Sequence, residues 1–399
     1  MKKIMVYCQH LAGMGHLVRS TEIIRSLVRD FKVCFVNGGQ PVPQFDLPSD
    51  AETLYLPGLW QDGRELKSVD ESKSLEEVKS QRKQRLLEVF DQFQPDCLIT
   101  ECFPFSKLKM KFELIPLLER VRASSHPTQV VCSLRDLVMT QPMGHDAWLR
   151  RVDHVCQTVN QFYDAVFFHG DATLLRLEDC FPQINNLRCD LVYTGYVAQS
   201  PPEQSLLTAD DIAGLSDKTP SIVASVGGGR HGYEPLRAII EASPLLAKTL
   251  PHQIYAFAGP FMPEEDFARL HQAAANQTNV TLRRFTSRLI DYLEKADLSV
   301  SLGGYNTTMN LLRTGVRSLV LPSLSKDQNN EQYIRAHKLA EMGVLDLLEP
   351  EDLAPERLVQ AMTACLGRAP VSYGFNLQGA DNTSKQIQRM LAEPSFVVG

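Results

Sequence analysis

The 399-residue sequence predicts an α/β protein built from two doubly wound, Rossmann-like parallel-sheet domains facing each other across a cleft. Three observations carry this prediction. Short apolar runs alternate with helix-length amphipathic segments almost from end to end, the pattern of parallel strands joined by crossover helices. The alternation breaks once, over residues 198–219, where the chain turns polar and contains Pro201-Pro202. A glycine-rich turn follows a strand-like run in each half, GMGH at residues 13–16 and SVGGGRHG at 225–232. A single core stops growing at about 250–300 residues, so two domains suit this length. The expected layout is a first domain over residues 1–197, a linker over 198–219, a second domain over 220–375, and a terminal helix within 376–399 that packs back on the first domain.

In chain order, the first half reads as strands at 4–8, 32–36, 96–100, 130–134, 165–169 and 191–194. Its first helix runs from Leu17 to about Asp30, with Leu17, Ile24, Leu27 and Val28 on one core-facing stripe. The second half repeats the pattern with strands at 222–226, 254–258, 280–283, 298–302, 318–321 and 345–348. Its clearest helices span 328–342 and 355–365, and a last amphipathic helix covers about 382–391.

Composition excludes several classes. A net charge of −6 offers no general attraction for nucleic acid. No apolar run reaches the about 18–20 residues of a membrane span, and MKKIMVYCQH at the N-terminus reads as a strand rather than a signal peptide. A cytoplasmic protein is expected, in contact with a membrane at most peripherally, at its inner face. The nine cysteines are scattered without a CxxC pair, which describes neither a disulfide framework nor a zinc site, and no metal site is expected.

A strand, a glycine turn and a helix N-terminus bring backbone N–H groups and the positive end of a helix dipole together, a natural place for an anion. GMGH is not the dinucleotide fingerprint, because Val18 stands at the third glycine position and the second strand ends in Val36-Asn37 without an acidic residue. Gly13 and Gly15 shape the turn, and His16 at the helix start is favoured in its neutral, proton-accepting form. From the residues alone, His16 acts as a base or simply caps the turn. Glu101 follows the run CLIT, where a carboxylate at the carboxyl end of a parallel strand can orient His16 and stabilise its protonated form. Arg135 and Asp136 occupy the equivalent place after the next strand; all three fit an ordinary ion pair or cap as well. In SVGGGR, Gly228 and Gly229 permit close backbone approach and Arg230 adds a fork suited to phosphate. No GK[ST] follows, so it is not a Walker loop; a tight turn with a solvated Arg is the plainer reading. GGYNTT at 303–308 is a third such turn, where Asn306 or Thr307 caps the next helix or binds ligand oxygens together with Gly304. SKDQNNEQ at 325–332 concentrates the donors and acceptors that sugar hydroxyls need, or is a polar loop with capping residues. KLKMKF at 107–112 reads as a solvated face, with an anionic membrane or a lipid-linked acceptor as the other reading.

Together these pieces resemble the MurG-like glycosyltransferases of the GT-B fold. The likeness is strongest at residues 13–16 and from SVGGGRHG through SLGGYNTTMNLLRTG to NNEQYIRAHKLAEMG. PDCLITECFPF, VVCSLRDLV and YTGYV resemble a less characterised branch of predicted glycosyltransferases. The resemblance implies an inverting, metal-independent transferase with no cofactor. It would move a sugar from a nucleotide-diphospho-sugar, UDP-linked, to a hydroxyl acceptor that is lipid-linked or a saccharide. It implies His16 as general base with Glu101 as its partner, and Gly228, Gly229 and Arg230 near the diphosphate. Gly304, Asn306 and Thr307 would line the donor pocket, and Glu331 and Gln332 would contact the sugar. Two positions depart from the pattern. The turn before His16 is one glycine shorter than in the peptidoglycan enzyme, and Asn310 stands where the family carries a Glu that grips both ribose hydroxyls. A carboxylate accepts such bonds with charge assistance, worth about 1.5–3 kcal/mol each, whereas an amide offers one acceptor and one donor pair. The same fold also serves nucleotide-sugar epimerases or hydrolases, and a non-catalytic nucleotide-sugar-binding protein is the third alternative.

Overall fold

The apolar runs pair in parallel because each is joined to the next through a connection long enough to cross the sheet. The computed structural model describes residues 1–11, 14–42, 45–62, 65–200, 219–322, 330–371 and 373–392. Met1–Pro41, Asp46–Val197 and Asn376–Gly399 form one unit, and Val42–Phe45 with Ala198–Phe375 form a second.

The first unit begins β1 (Lys3–Cys8), α1 (Gly15–Leu27), β2 (Lys32–Asn37), β3 (Ala51–Tyr55) and a hairpin of β4 (Leu59–Asp62) with β5 (Glu65–Ser68). It continues α2 (Leu75–Phe93), β6 (Cys97–Glu101), α3 (Lys111–Ala123), β7 (Gln129–Arg135), α4 (His145–Phe162), β8 (Ala165–His169) and β9 (Asp190–Tyr193). Its seven-stranded sheet has the order β3-β2-β1-β6-β7-β8-β9, so the winding reverses between β1 and β6. Leu17, Ile24 and Leu27 of α1 are buried, as the stripe predicts. Ser74 and Glu77 start α2 with a reciprocal capping box.

The second unit runs β10 (Ser221–Ser225), α5 (Tyr233–Leu246), β11 (Gln253–Phe257), α6 (Glu264–Ala274), β12 (Val280–Arg283) and α7 (Leu289–Lys295). It continues β13 (Leu298–Leu302), α8 (Tyr305–Thr314), β14 (Arg317–Leu321), α9 (Glu331–Glu341), β15 (Asp346–Leu347) and α10 (Pro355–Leu366). Here the order is β12-β11-β10-β13-β14-β15, with the reversal between β10 and β13. The last helix, α11 (Gly379–Ala392), belongs to the first unit and packs along α1. The Ser26 hydroxyl donates to Asp381 at 2.8 Å, and the Asn382 amide donates to the Thr194 carbonyl at 2.8 Å. Gly379 is required at the entry to this helix, since a Cβ there would meet the Gly195 carbonyl at 2.3 Å.

The strands expected at 165–169, 280–283 and 298–302 occupy those residues, and the other expected strands form within a residue or two of their predicted ends. Three strands went unread. β3 is an edge strand that is half exposed, and β4 and β5 are four residues each, so none presents an apolar run. The helix expected from 328 is described from Glu331. Of the linker expected at 198–219, residues 201–218 lie outside the described residues.

Candidate active site

Open parallel sheets hold ligands outside the carboxyl ends of their strands, where the winding reverses. In the first unit that point is flanked by β1 and β6, and the chain delivers one functional side chain after each. His16 lies in the first turn of α1, directly after β1, and Glu101 is the last residue of β6. Nδ1 of His16 sits 2.5 Å from Oε1 of Glu101. Arg19, three residues further along α1 and 1% exposed, donates to the same carboxylate oxygen. Burial opposes the charge on Glu101, but His16 and Arg19 beside it hold its carboxyl well below the usual carboxylate range. An ionised carboxylate can only accept, so His16 Nδ1 carries the hydrogen and donates it. The lone pair of the neutral ring is therefore on Nε2. Burial lowers the His16 pKa to about 4 against the pull of Glu101, with Lys107 and Arg135 adding to the lowering. The ring is neutral near pH 7, and 22% of its side chain remains exposed.

His16, Glu101 and Cys102 also bring ligand-type atoms within 4.8 Å of one another. The donor set does not suit a divalent ion. The shared Glu101 oxygen already bears the Arg19 guanidinium, and burial, with the Glu101 charge, pushes the Cys102 thiol up so that it stays protonated. Cys102 instead donates to Glu101 at 3.1 Å from a left-handed backbone, φ +60°. Arg135 ends β7 and belongs to this group through its charge on His16. Asp136 is fully buried, with its carboxylate 3.9 Å from the Arg135 guanidinium, and so takes an interior place rather than one open to an acceptor. Gly15 opens α1, and Gly13 lies outside the described residues. In KLKMKF, Lys109 and Lys111 are exposed while Met110 is buried and Leu108 and Phe112 pack on the core, which is the solvated-face arrangement.

In the second unit the two glycine turns follow β10 and β13, again the strands on either side of the reversal. Gly229 has φ +90°, and a Cβ there would meet the Ala258 carbonyl at 2.2 Å. Its N–H donates to the Val226 carbonyl at 3.2 Å. Gly229 is thus a packing glycine locked against the turn after β11, and its amide is not turned toward a ligand. Gly228 is partly exposed, and Arg230 is exposed with its guanidinium 5.6 Å from the centre of the Phe261 ring. Gly304 differs. Its backbone is ordinary extended, φ −62° and ψ 151°, and a Cβ there would meet open space. Among the described residues nothing demands a glycine at that point.

Gly304 is the N-cap of α8, without a side-chain cap, so neither Asn306 nor Thr307 caps the helix; both lie in its first turn. Thr308 returns its hydroxyl to the Gly304 carbonyl at 3.0 Å. Asn310 is 1% exposed, and its amide donates to the Gln199 side chain at 2.8 Å. Asn330 caps α9 by accepting from the Tyr333 N–H at 2.7 Å, with Glu331 and Gln332 opening that helix half-buried. Residues 325–329 of the polar segment lie outside the described residues.

Sequence reasoning missed Arg19 and Gln199, and also a buried cluster that reaches the carboxyl end of β1 through Gln9. Arg82 donates twice to Glu113, at 2.8 and 2.7 Å, and to Gln9 at 2.6 Å, the residue after β1. It also donates to the carbonyls of Gly38 and Pro57 at 2.9 and 2.7 Å. The signal was a charge at the second position of the stripe Val78, Arg82, Leu86, Phe90 on α2.

Residues 223–387 match the glycosyltransferase family 28 C-terminal domain. A UDP-N-acetylglucosamine--N-acetylmuramyl-(pentapeptide) pyrophosphoryl-undecaprenol N-acetylglucosamine transferase of Bacillus subtilis is 26% identical over 150 residues, 37% of this chain and 40% of that protein. An uncharacterized glycosyltransferase of Methanopyrus kandleri is 23% identical over 204 residues, 50% of this chain and 54% of that one. The chain thus spans about half, or less, of the length of the curated relatives it matches. Among solved structures, MurG of Acinetobacter baumannii aligns with a TM-score of 0.55 at 14% identity, covering 98% of this chain and 100% of that one. At that identity the likeness is one of fold, the GT-B architecture of two Rossmann-like domains. Among the described residues no helix is long and apolar enough to cross a membrane.

Proposed function

From the family 28 domain of residues 223–387, we propose that this protein is a glycosyltransferase that moves a sugar from a UDP-linked sugar to a hydroxyl acceptor, with inversion at the anomeric carbon and without a catalytic metal. The observation that carries the reading is the His16–Glu101–Arg19 group at the β1/β6 reversal. His16 Nε2 takes the proton of the acceptor hydroxyl as that oxygen bonds to the anomeric carbon. The bond from that carbon to the diphosphate oxygen breaks, and its electron pair leaves with the nucleoside diphosphate. Glu101 stabilises the imidazolium that forms, and Arg19 keeps Glu101 ionised. A positioned base of this kind contributes about 10²–10⁴ in rate.

In the second unit, the N-termini of α5 and α8 lack side-chain caps, and with Arg230 they supply positive charge for the departing diphosphate. The freedom at Gly304 suits close approach of a donor. Asn310 Oδ1, buried without a hydrogen-bond partner among the described residues, is an acceptor that a ribose hydroxyl would satisfy. The name of the Bacillus subtilis relative supports UDP-N-acetylglucosamine as the first donor to test, and a lipid-linked saccharide as the first acceptor.

The test is a panel of nucleotide-sugars and free nucleoside diphosphates followed by thermal unfolding, with release of nucleoside diphosphate measured alongside. A donor at a hundredfold excess over its Kd stabilises the native state by about 2.7 kcal/mol. The expected result is selective stabilisation by one UDP-sugar, with His16→Ala keeping that stabilisation while losing turnover. Product formed from donor alone would replace transfer by epimerisation or hydrolysis. A flat panel would remove the donor site.

A further inference from the structure

The first unit holds an open surface cavity of about 670 Å³ walled by the end of β3, the hairpin exit and α2. That volume is within the range of small-molecule sites. Its mouth carries Tyr55 and Val69, each 44% exposed, two of the few large apolar side chains that the described residues leave open. Its floor is Leu56 and Val78, 4% and 1% exposed. We propose that this cavity binds a neutral oligosaccharide.

The lining chemistry selects that class. The cations Lys73 and Arg85 are balanced by the anions Asp70 and Glu88, so the cavity favours neither an anion nor a cation. Gln81 and Gln84 add side-chain amides, each both donor and acceptor, as a hydroxyl-rich ligand requires. These groups are already oriented across the wall. Lys73 donates to Gln81 at 3.3 Å, and Gln84 donates to Glu88 at 2.9 Å. An exposed aromatic ring beside an aliphatic wall offers a face to the C–H side of a pyranose, while the amides and charges meet its hydroxyls. The wall is also rigid. The Pro57 carbonyl is held at 2.7 Å by Arg82, which is itself clamped by Glu113. A preformed wall reduces the ordering that binding would otherwise require. None of the lining residues belongs to the His16 group or to the glycine turns, so the site stands whether or not the protein transfers sugar.

The test is calorimetric titration of the full chain with chitotriose, cellotriose and maltotriose, without any nucleotide. At least one trisaccharide is expected to bind, and Tyr55→Ala and Gln81→Ala are each expected to raise its Kd at least about tenfold. Both side chains lie at the cavity surface, so the variants should keep the parent's thermal midpoint, and His16→Ala should bind the trisaccharide as the parent does. Absence of binding by all three sugars at millimolar concentration would overturn the proposal. So would a Tyr55→Ala protein, folded by its thermal midpoint, that binds as tightly as the parent.

Discussion

At the scale of single residues, His16 is set apart by having its pKa pushed down while its hydrogen-bond partner is a carboxylate. Its folded value of about 4 lies below the ordinary 6.5 of histidine. Between those two values the unfolded chain binds more protons than the native one, so the His16 contribution to stability is complete above 6.5 and is lost as pH falls toward 4. The neutral ring, and with it the base, survives over the same window. The acid limb that His16 imposes on kcat/KM is therefore expected near pH 4, and a pH–rate profile with that limb near 6.5 would show a solvated ring instead. Glu101→Gln removes the charge that selects the tautomer and takes from the buried Arg19 the carboxylate it donates to. It should cost about 3–5 kcal/mol of stability, read by denaturant unfolding, as well as turnover. The pairing of His16 with Glu101 was legible in the sequence, since Glu101 ends one strand-like run and His16 opens the helix that follows another. Arg19 was not, because only the packed helix shows that its side chain returns to the sheet and lands on the same oxygen.

Elements explain why glycines that look alike in sequence do different work. Gly229 and Gly304 both stand between a strand and a helix, and both read as ligand-facing. The structure separates them by backbone and by space. Gly229→Ala puts a Cβ 2.2 Å from the Ala258 carbonyl on a left-handed backbone, so the conformation alone costs about 1–2 kcal/mol and the clash adds to it. Gly304→Ala keeps an ordinary conformation in open space and should be neutral to stabilising, by up to about 1 kcal/mol. Its cost is expected in donor affinity. Thermal unfolding with and without the stabilising nucleotide-sugar distinguishes the two, and a Gly304→Ala protein that binds donor normally would take that glycine out of the site. The same reasoning shows what sequence periodicity hides. A buried Arg82 in an apolar stripe marks a helix face that meets a carboxylate, but the partner, Glu113, is 31 residues away and only the fold brings it near.

For the whole molecule, the strand order was the part the sequence could not show. Alternation of apolar runs and helices announces parallel sheets, yet the same alternation is compatible with several windings, and which strands flank a reversal is decided by packing. That decision puts His16 and Glu101 together in one sheet and the two glycine turns together in the other. It also assigns the end of the chain. α11 is separated from the rest of the first unit by the whole second unit in sequence, yet it completes the face of α1. Ile387 is fully buried there, worth about 1.5–3 kcal/mol, and the bonds made by Asp381 and Asn382 add about 0.5–1.5 kcal/mol each. A chain ending at residue 375 should therefore lose stability in its first unit, at α1, whose Ser26 lies 355 residues from the Asp381 it would lose. Amide hydrogen exchange is the direct measurement. The truncated protein is expected to lose protection along α1, from Gly15 to Leu27, together with the base it carries. Unchanged protection there would mean that α1 is held by the sheet alone and that the returning helix is an ornament of the fold.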